Sequence, residues 1–332
     1  MRAASCGPGV LQGLRDTTLS FAGNGTLDLR QRSGPERIPP QEIRVRRYAV
    51  AVFVSALLLT ATVVAIAQQP RPFRRSRRFQ QPSQFQQSQE YRPNRRGVPD
   101  WKVDRRFGKD VFTFVRIRYN SMGGWGKWQT DYPDAELNFS YRLQQLTSLH
   151  TDPDGLILQL TDPQLCDYPF IYIIEPGHLV FSDAEVKALR RYLLNGGFLM
   201  VDDFWGHYEW QNFHREIKRV FPEFEPTDIP LEHPIFHCVY DLKERPQIPA
   251  IGIARPGPGG QIITWERGPD TREPHYRGIF DENGRMMAII CHNTDLGDGW
   301  EREGEDPWYF QEFSVKKAYP LGINIVFYAM TH

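Results

Sequence analysis

The chain has 332 residues, 40% of them hydrophobic, and its 40 basic residues balance 40 acidic ones. That size and apolar share exclude a wholly disordered polymer, and four cysteines exclude a small disulfide-framed scaffold. The neutrality conceals a split, because residues 1–100 carry 16 Lys/Arg against 6 Asp/Glu and the rest carry 24 against 34. A basic tail on an acidic globule of about 230 residues, long enough for one sizeable core, is the expected organisation.

Residues 1–47 read as a leader; residues 1–43 of it lack periodicity, and native translation is expected to begin near Val45, which N-terminal sequencing of the native product checks. Residues 48–67, YAVAVFVSALLLTATVVAIA, form an uncharged run of 20, about the length of a membrane-spanning helix. Arg44, Arg46 and Arg47 precede it, and Ala65-Ile66-Ala67 closes it in the small-x-small form of a signal-peptidase site. A cleaved signal peptide and a single-pass anchor both fit, and either places the rest of the chain outside the cytoplasm. Residues 68–98, with 8 Gln and 8 Arg among 31, read as a disordered linker. The domain then occupies 99–332.

Val111–Tyr119 reads as an opening strand, and a Gly/Trp loop leads from it to a helix over Ala135–Leu149. Leu156–Leu160 and Phe170–Ile174 read as strands, the second ending in Glu175-Pro176-Gly177-His178. The stretch Ser182–Asp203 is the most informative. Ser182 and Glu185 have capping-box spacing, Val186, Leu189 and Leu193 form an apolar stripe, and Asn195-Gly196-Gly197 stops the helix. Phe198-Leu199-Met200-Val201 is apolar throughout, as in a strand covered on both faces of a parallel sheet. A further helix is expected from about Asn212 to Phe221. The alternation predicts an α/β sandwich on a mainly parallel sheet.

The second half loses that rhythm. His233–Leu242, Ile248–Ala254, Gln261–Trp265 and Met286–His292 read as strands of a β-rich insertion or an antiparallel edge, and Gly257-Pro258-Gly259-Gly260 as a turn. A helix over Ser314–Met330 closes the chain. Cys238 and Cys291 sit among apolar residues and read as inert buried thiols.

Several blocks carry a family resemblance: Phe170–Glu175, Leu189–Asp203, His233-Pro234-Ile235-Phe236, His292-Asn293-Thr294-Asp295 and Gly322-Ile323-Asn324-Ile325. On these, the chain from about Phe112 to Thr331 resembles the bacterial domain of unknown function 4159 family. That family in turn resembles class I glutamine amidotransferase-like folds, which implies a flavodoxin-like three-layer sandwich and brings no established activity. Where those enzymes place a nucleophilic cysteine, this chain has Asp202 and Asp203. Glutaminase chemistry needs a thiolate and is rejected.

Asp202 and Asp203 end a buried strand, where ligands of open parallel sheets sit. With Glu175, His178, His207 and Glu209 they place carboxylates and imidazoles at one rim, suited to acid/base work or a divalent metal. Capping of the next helix by either aspartate is the plain alternative. Asn293 and Asp295 follow the last apolar strand and read as a stabilised turn that can wall a pocket. Trp125, Trp128, Trp205 and Trp210 are expected in loops, to stack on sugars or partners or to roof the sheet. No metal-ligand spacing, cofactor motif or nucleic-acid motif is present, so no cofactor and no nucleic acid are expected.

Two classes of function remain. One is a non-catalytic envelope domain that binds a protein or glycan through Glu175, Asp202, Asp203, Trp205, His207, Asn293 and Asp295. The other is a hydrolase, metal-assisted or acid/base, with Asp202, Asp203, His207 and His178 as candidates.

Overall fold

Seven strands make one sheet: β1 Val115–Ile117, β2 Leu156–Leu158, β3 Phe170–Ile174, β4 Phe198–Asp202, β5 Thr227–Asp228, β6 His275–Phe280 and β7 Met286–His292. The computed structural model describes residues 95, 97–104, 106 and 110–332; the leader, the apolar run and nearly all of the linker lie outside them. Among the described residues no helix is long and apolar enough to cross a membrane.

The strands lie in the order β2-β1-β3-β4-β7-β6-β5. The first five pair in parallel, and β6 runs antiparallel to both β7 and β5. The sheet is therefore mixed rather than simply parallel. The cause is the connection from β6 to β7, a tight turn in which Asp281 N donates to Arg285 O and Gly284 takes φ 81°. Such a turn is too short for the crossover a parallel partner needs.

Strand periodicity divides the core into two clusters. Phe170, Tyr172 and Ile174 face one, with Phe198, Met200 and Cys291; Ile171 and Ile173 face the other, with Leu199 and Val201. The first is covered by α1 (Asp134–Leu146) and a C-terminal helical run, the second by α2 (Asp183–Leu194) and α3 (Gly206–Val220). Between the covering layers the strands are apolar on both sides, as read from their sequence.

The α2 unit forms as its sequence dictates. Ser182 Oγ accepts from Glu185 N while Glu185 Oε2 accepts from Ser182 N, completing the capping box. Gly196 at φ 100° reverses the chain, and Gly197 passes so close to the Tyr192 ring that a Cβ would overlap it. The register then sets Ile174 level with Asp202, so β3 and β4 end together.

Other expectations are corrected. The opening strand is split into Val111–Phe112, paired with His150–Thr151, and β1. Helix α3 begins at Gly206 rather than near Asn212, because its first amides find acceptors outside the local chain. Gly206 N donates to Asn293 Oδ1 and His207 N to Asp270 Oδ2, while Glu209 Oε2 accepts from Trp205 N.

Of the four strands read in the second half, Met286–His292 is present as β7 and its pairing with β6 makes the expected antiparallel edge. Between His233 and Trp265 the only pairing is the two-residue one of Arg255–Pro256 with Ile262–Ile263. Pro234–Phe236 is a single turn of 3₁₀ helix, and Asn324 bonds the backbone of Val239 and Tyr240 in place of a ladder. Cys238 is exposed, its thiol 3.2 Å from Asn324 O, whereas Cys291 is buried. The closing helix starts at Pro307, runs as a π-helix over Phe310–Ala318 and continues as α4 (Tyr319–Thr331), with Pro320 harmless in the first turn of that last segment.

Candidate functional site

Three neighbouring strands end in the same unusual way. Glu175 after β3, Asp203 after β4 and Asn293 after β7 all take left-handed backbone, with φ of 45°, 54° and 60°. A non-glycine residue in that region is uncommon and strained, and such residues gather at ligand sites. The surroundings fix them. Tyr119 Oη lies 2.6 and 2.7 Å from the carbonyls of Ile174 and Glu175, Glu175 N donates to Asp202 O, and Asn293 N donates to Phe204 O. Asp131 at φ 63°, just before α1, brings a fourth left-handed residue to the same edge.

Carboxylates converge there. Asp131, Asp203 and Asp295 are all buried, and each offers an oxygen within 4.8 Å of the others. Asp131 also belongs to a second group, with Asp298 and Glu301. Burial pushes Asp203 well above the usual carboxylate range, and the charges of Glu175, Asp131, Asp202 and Glu266 push it further. Asp295 rises by burial and by Asp203, Asp131 and Asp298. Asp131 rises by burial and by Glu301 and Asp298. Three carboxyls that oppose one another's ionisation in so small a volume describe a site built to hold positive charge or shared protons.

Asp202 lies one layer below. It has no exposed surface, and its Oδ2 accepts from Tyr172 Oη at 3.1 Å and Gly297 N at 3.0 Å. Burial raises it to about 7, against the pull of those hydrogen bonds.

Around the cluster runs a rim of ion pairs. Lys127 pairs with Glu175, Arg267 with Glu209, and His178 Nε2 lies 4.0 Å from Glu209 Oε1. Outside these, Trp125 packs edge-on against His178 at 5.3 Å and Tyr208 lies 6.3 Å beyond it. Trp125 and Tyr208 are 57% and 67% exposed, so this aromatic row faces solvent. A cavity of about 290 Å³, lined by Arg255, Trp265, Glu266, Arg267 and Arg272, adjoins the rim through Arg267.

The residues singled out in the sequence thus divide. Glu175, Asp202, Asp203, His178 and Asp295 meet at the strand ends. His207 does not: it is exposed on α3, with its ring 2.7 Å from Gln211 Nε2. Asn293 is buried and structural, giving both Nδ2 hydrogens to the carbonyls of Asp270 and Glu273. Trp205 is 2% exposed and donates Nε1–H to Asp203 Oδ1, so it orients a carboxylate rather than stacking on a ligand. Trp210 lies on α3 beneath the Arg277 guanidinium, which sits 4.0 Å from its ring centre. Neither aspartate caps α3, whose first amides are taken as described above.

Sequence reasoning missed Asp131, Asp298 and Glu301. Asp131 lies in the loop between the Gly/Trp segment and α1, where no motif singles it out. Asp298 and Glu301 lie on the short helix Leu296–Glu301, which Asp295 caps by accepting from Asp298 N at 2.7 Å. The Asp/Gly spacing after His292 was the available signal for the last two.

No curated protein matches the chain. A family model, that of a domain of unknown function, DUF4159, matches residues 113–330, which spans every strand of the sheet and all the carboxylates of the site. The chain belongs to the DUF4159 family.

Proposed function

We propose that this is an exported or membrane-tethered envelope domain that binds a glycan across the rim of the strand-end site. The observation that carries the reading is the exposed row Trp125, His178 and Tyr208, interleaved with Lys127, Glu209 and Arg267. Aromatic faces cover the apolar faces of sugar rings, and adjacent charged groups bond their hydroxyls. The uncharged run at residues 48–67 supports the tethered or exported placement.

The fold reading that goes with this is a flavodoxin-like doubly wound sandwich of the amidotransferase-like kind. The five parallel strands, numbered along the chain, lie in the order 2-1-3-4-5, which is the flavodoxin order with its ligand crevice at the carboxyl ends. Asp202 and Asp203 stand where an amidotransferase nucleophile would be. Acid/base hydrolysis by Asp202 finds less support, since its carboxylate is sealed beneath Tyr172 and Gly297.

Isothermal titration of the full-length chain with soluble β-linked oligosaccharides tests the reading. Saturable binding is expected, weakened about tenfold by Trp125→Ala or Tyr208→Ala. Binding that both variants leave intact, or retention of a protein and of no glycan, overturns it.

A further inference from the structure

The geometry points to a site for one hard divalent cation held by Asp131, Asp203 and Asp295. Their oxygens lie within 4.8 Å of one another and all three residues are at least nine-tenths buried. An independent observation concerns hydrogen bonding. Asp202 Oδ1, with no exposed surface, has no donor. Asp131 Oδ2, pressed against Gly297, meets no N–H or hydroxyl, the Asp131 side chain sharing a hydrogen bond only with the carboxyl of Glu301. Buried carboxylate oxygens normally have partners, and an orphaned one calls for an explanation.

The nearby donors are engaged elsewhere on the same groups. Trp205 Nε1 holds Asp203 Oδ1, Asp298 N holds Asp295 Oδ1, and Gly297 N with Tyr172 Oη holds Asp202 Oδ2. The nearby buried cation, Arg116, gives Nε to Glu136 and Nη1 to the carbonyls of Trp128 and Thr130; its Nη2 has no partner, and its charge offsets only part of the rise at Asp131. The bonds from Trp205 and Asp298 leave the second oxygen of Asp203 and of Asp295 free to bind, as the outer partners of metal-binding carboxylates do.

The adjoining group of Asp131, Asp298 and Glu301 is not assigned a cation. Arg302 already reaches Asp298 Oδ1 at 3.2 Å and Glu301 Oε2 at 2.9 Å. The Asp131, Asp203 and Asp295 set contains oxygen donors alone, with no sulfur or imidazole, which favours Ca²⁺, Mg²⁺ or Mn²⁺ over zinc.

The site does not depend on the glycan reading, and its test uses no glycan. Full-length chain freed of metal with EDTA is titrated with Ca²⁺, Mg²⁺ or Mn²⁺ alone, by calorimetry and by thermal unfolding. One ion per chain is expected, with a rise in Tm of about 5 °C at a hundredfold excess over Kd. Asp131→Asn and Asp203→Asn should abolish both effects, yet unfold in the metal-free state no lower than wild type, since each removes a repelling charge. Tb³⁺ gives a readout that needs no variant. Trp205, bonded to a ligand carboxylate, should sensitise its emission, and Ca²⁺ should quench that emission by displacement. Wild type that shows no cation-dependent change, or variants that keep it, would overturn the assignment and leave shared protons as the cluster's charge balance.

Discussion

Arg116 donates through Nη1 to the carbonyl of Thr130 at 2.8 Å, so the backbone entering Asp131 is tied to β1, between β2 and β3 of the sheet. The same nitrogen reaches Trp128 O at 3.0 Å, and Nε meets Glu136 on α1. Arg116 has no exposed surface. Replacing it by methionine strands Glu136 as an uncompensated buried charge and releases the loop. Arg116→Met should lose about 3–5 kcal/mol of stability in chemical denaturation. Arg116→Lys, which keeps the charge but not the planar fork, should fall between the two. A loss below about 1 kcal/mol for the methionine variant would show that the pair is not structural.

His292 is expected to stay neutral far below the usual imidazole range. Its Nε2–H donates to Gly206 O at 3.1 Å, and Arg277 Nη1 lies 3.3 Å from Nδ1. Burial lowers its pKa to about 3, with the Arg277 and His275 charges adding to burial and the Gly206 bond opposing it. The unfolded chain takes up this proton near pH 6.5, so the folded state is fully favoured above that pH and loses stability as pH falls toward 3. At pH 4.5 the contribution amounts to about 2–3 kcal/mol. Urea titrations of wild type and His292→Asn at pH 7 and 4.5 isolate it, and NMR should show the ring titrating near 3. A midpoint near 6.5 would contradict the prediction.

The two glycines after α2 should respond differently to alanine. At Gly197 a Cβ overlaps the Tyr192 ring, whose hydroxyl is fixed 2.8 Å from Tyr168 O. Gly197→Ala should therefore destabilise by about 1–3 kcal/mol through overpacking. Gly196 has open space around its absent Cβ, so Gly196→Ala should cost only the left-handed backbone term of about 1 kcal/mol. Equal losses in thermal unfolding would refute the distinction.

Ser182→Ala removes the acceptor for Glu185 N and should cost about 1 kcal/mol. Glu185→Ala exposes the other half of the same box. Because the two bonds are reciprocal, the double variant should lose less than the two single losses added together, and denaturant midpoints of the three variants check this.

What the sequence reveals follows how local each structure is. The α2 cap, the Gly-Gly turn and the runs FIYII and FLMVD are each specified by residues adjacent in the chain. The segment from His233 to Trp265 is not. Ile235, Phe236, Leu242 and Ile248 are buried there, which looks like strand content, yet the first three amides find local acceptors in His233 Nδ1, His233 O and Phe236 O and the fourth a distant side chain. Thr294 Oγ1 accepts from Ile248 N, and Gln247 Nε2 reaches the carbonyls of Thr271 and Asn293. Apolar content alone does not distinguish that arrangement from a ladder. The same holds for the site. Asp203 and Asp295 were legible because they follow apolar strands, whereas Asp131 joins them only through Arg116's hold on its loop, a long-range contact with no local signature.

The level ending of β3, β4 and β7 in left-handed residues has a consequence for how this edge can change. Two of the three turns are held by backbone bonds, Glu175 N to Asp202 O and Asn293 N to Phe204 O. At Glu175 the path of the chain is thus decoupled from the group it displays, whereas the buried Asn293 side chain is itself part of the framework. Glycine or asparagine, which enter that backbone region most readily, can replace Glu175 and leave the strands below undisturbed. A new ligand preference at this edge can therefore start from exchange at Glu175, on a framework that the Asn293 side chain helps to hold.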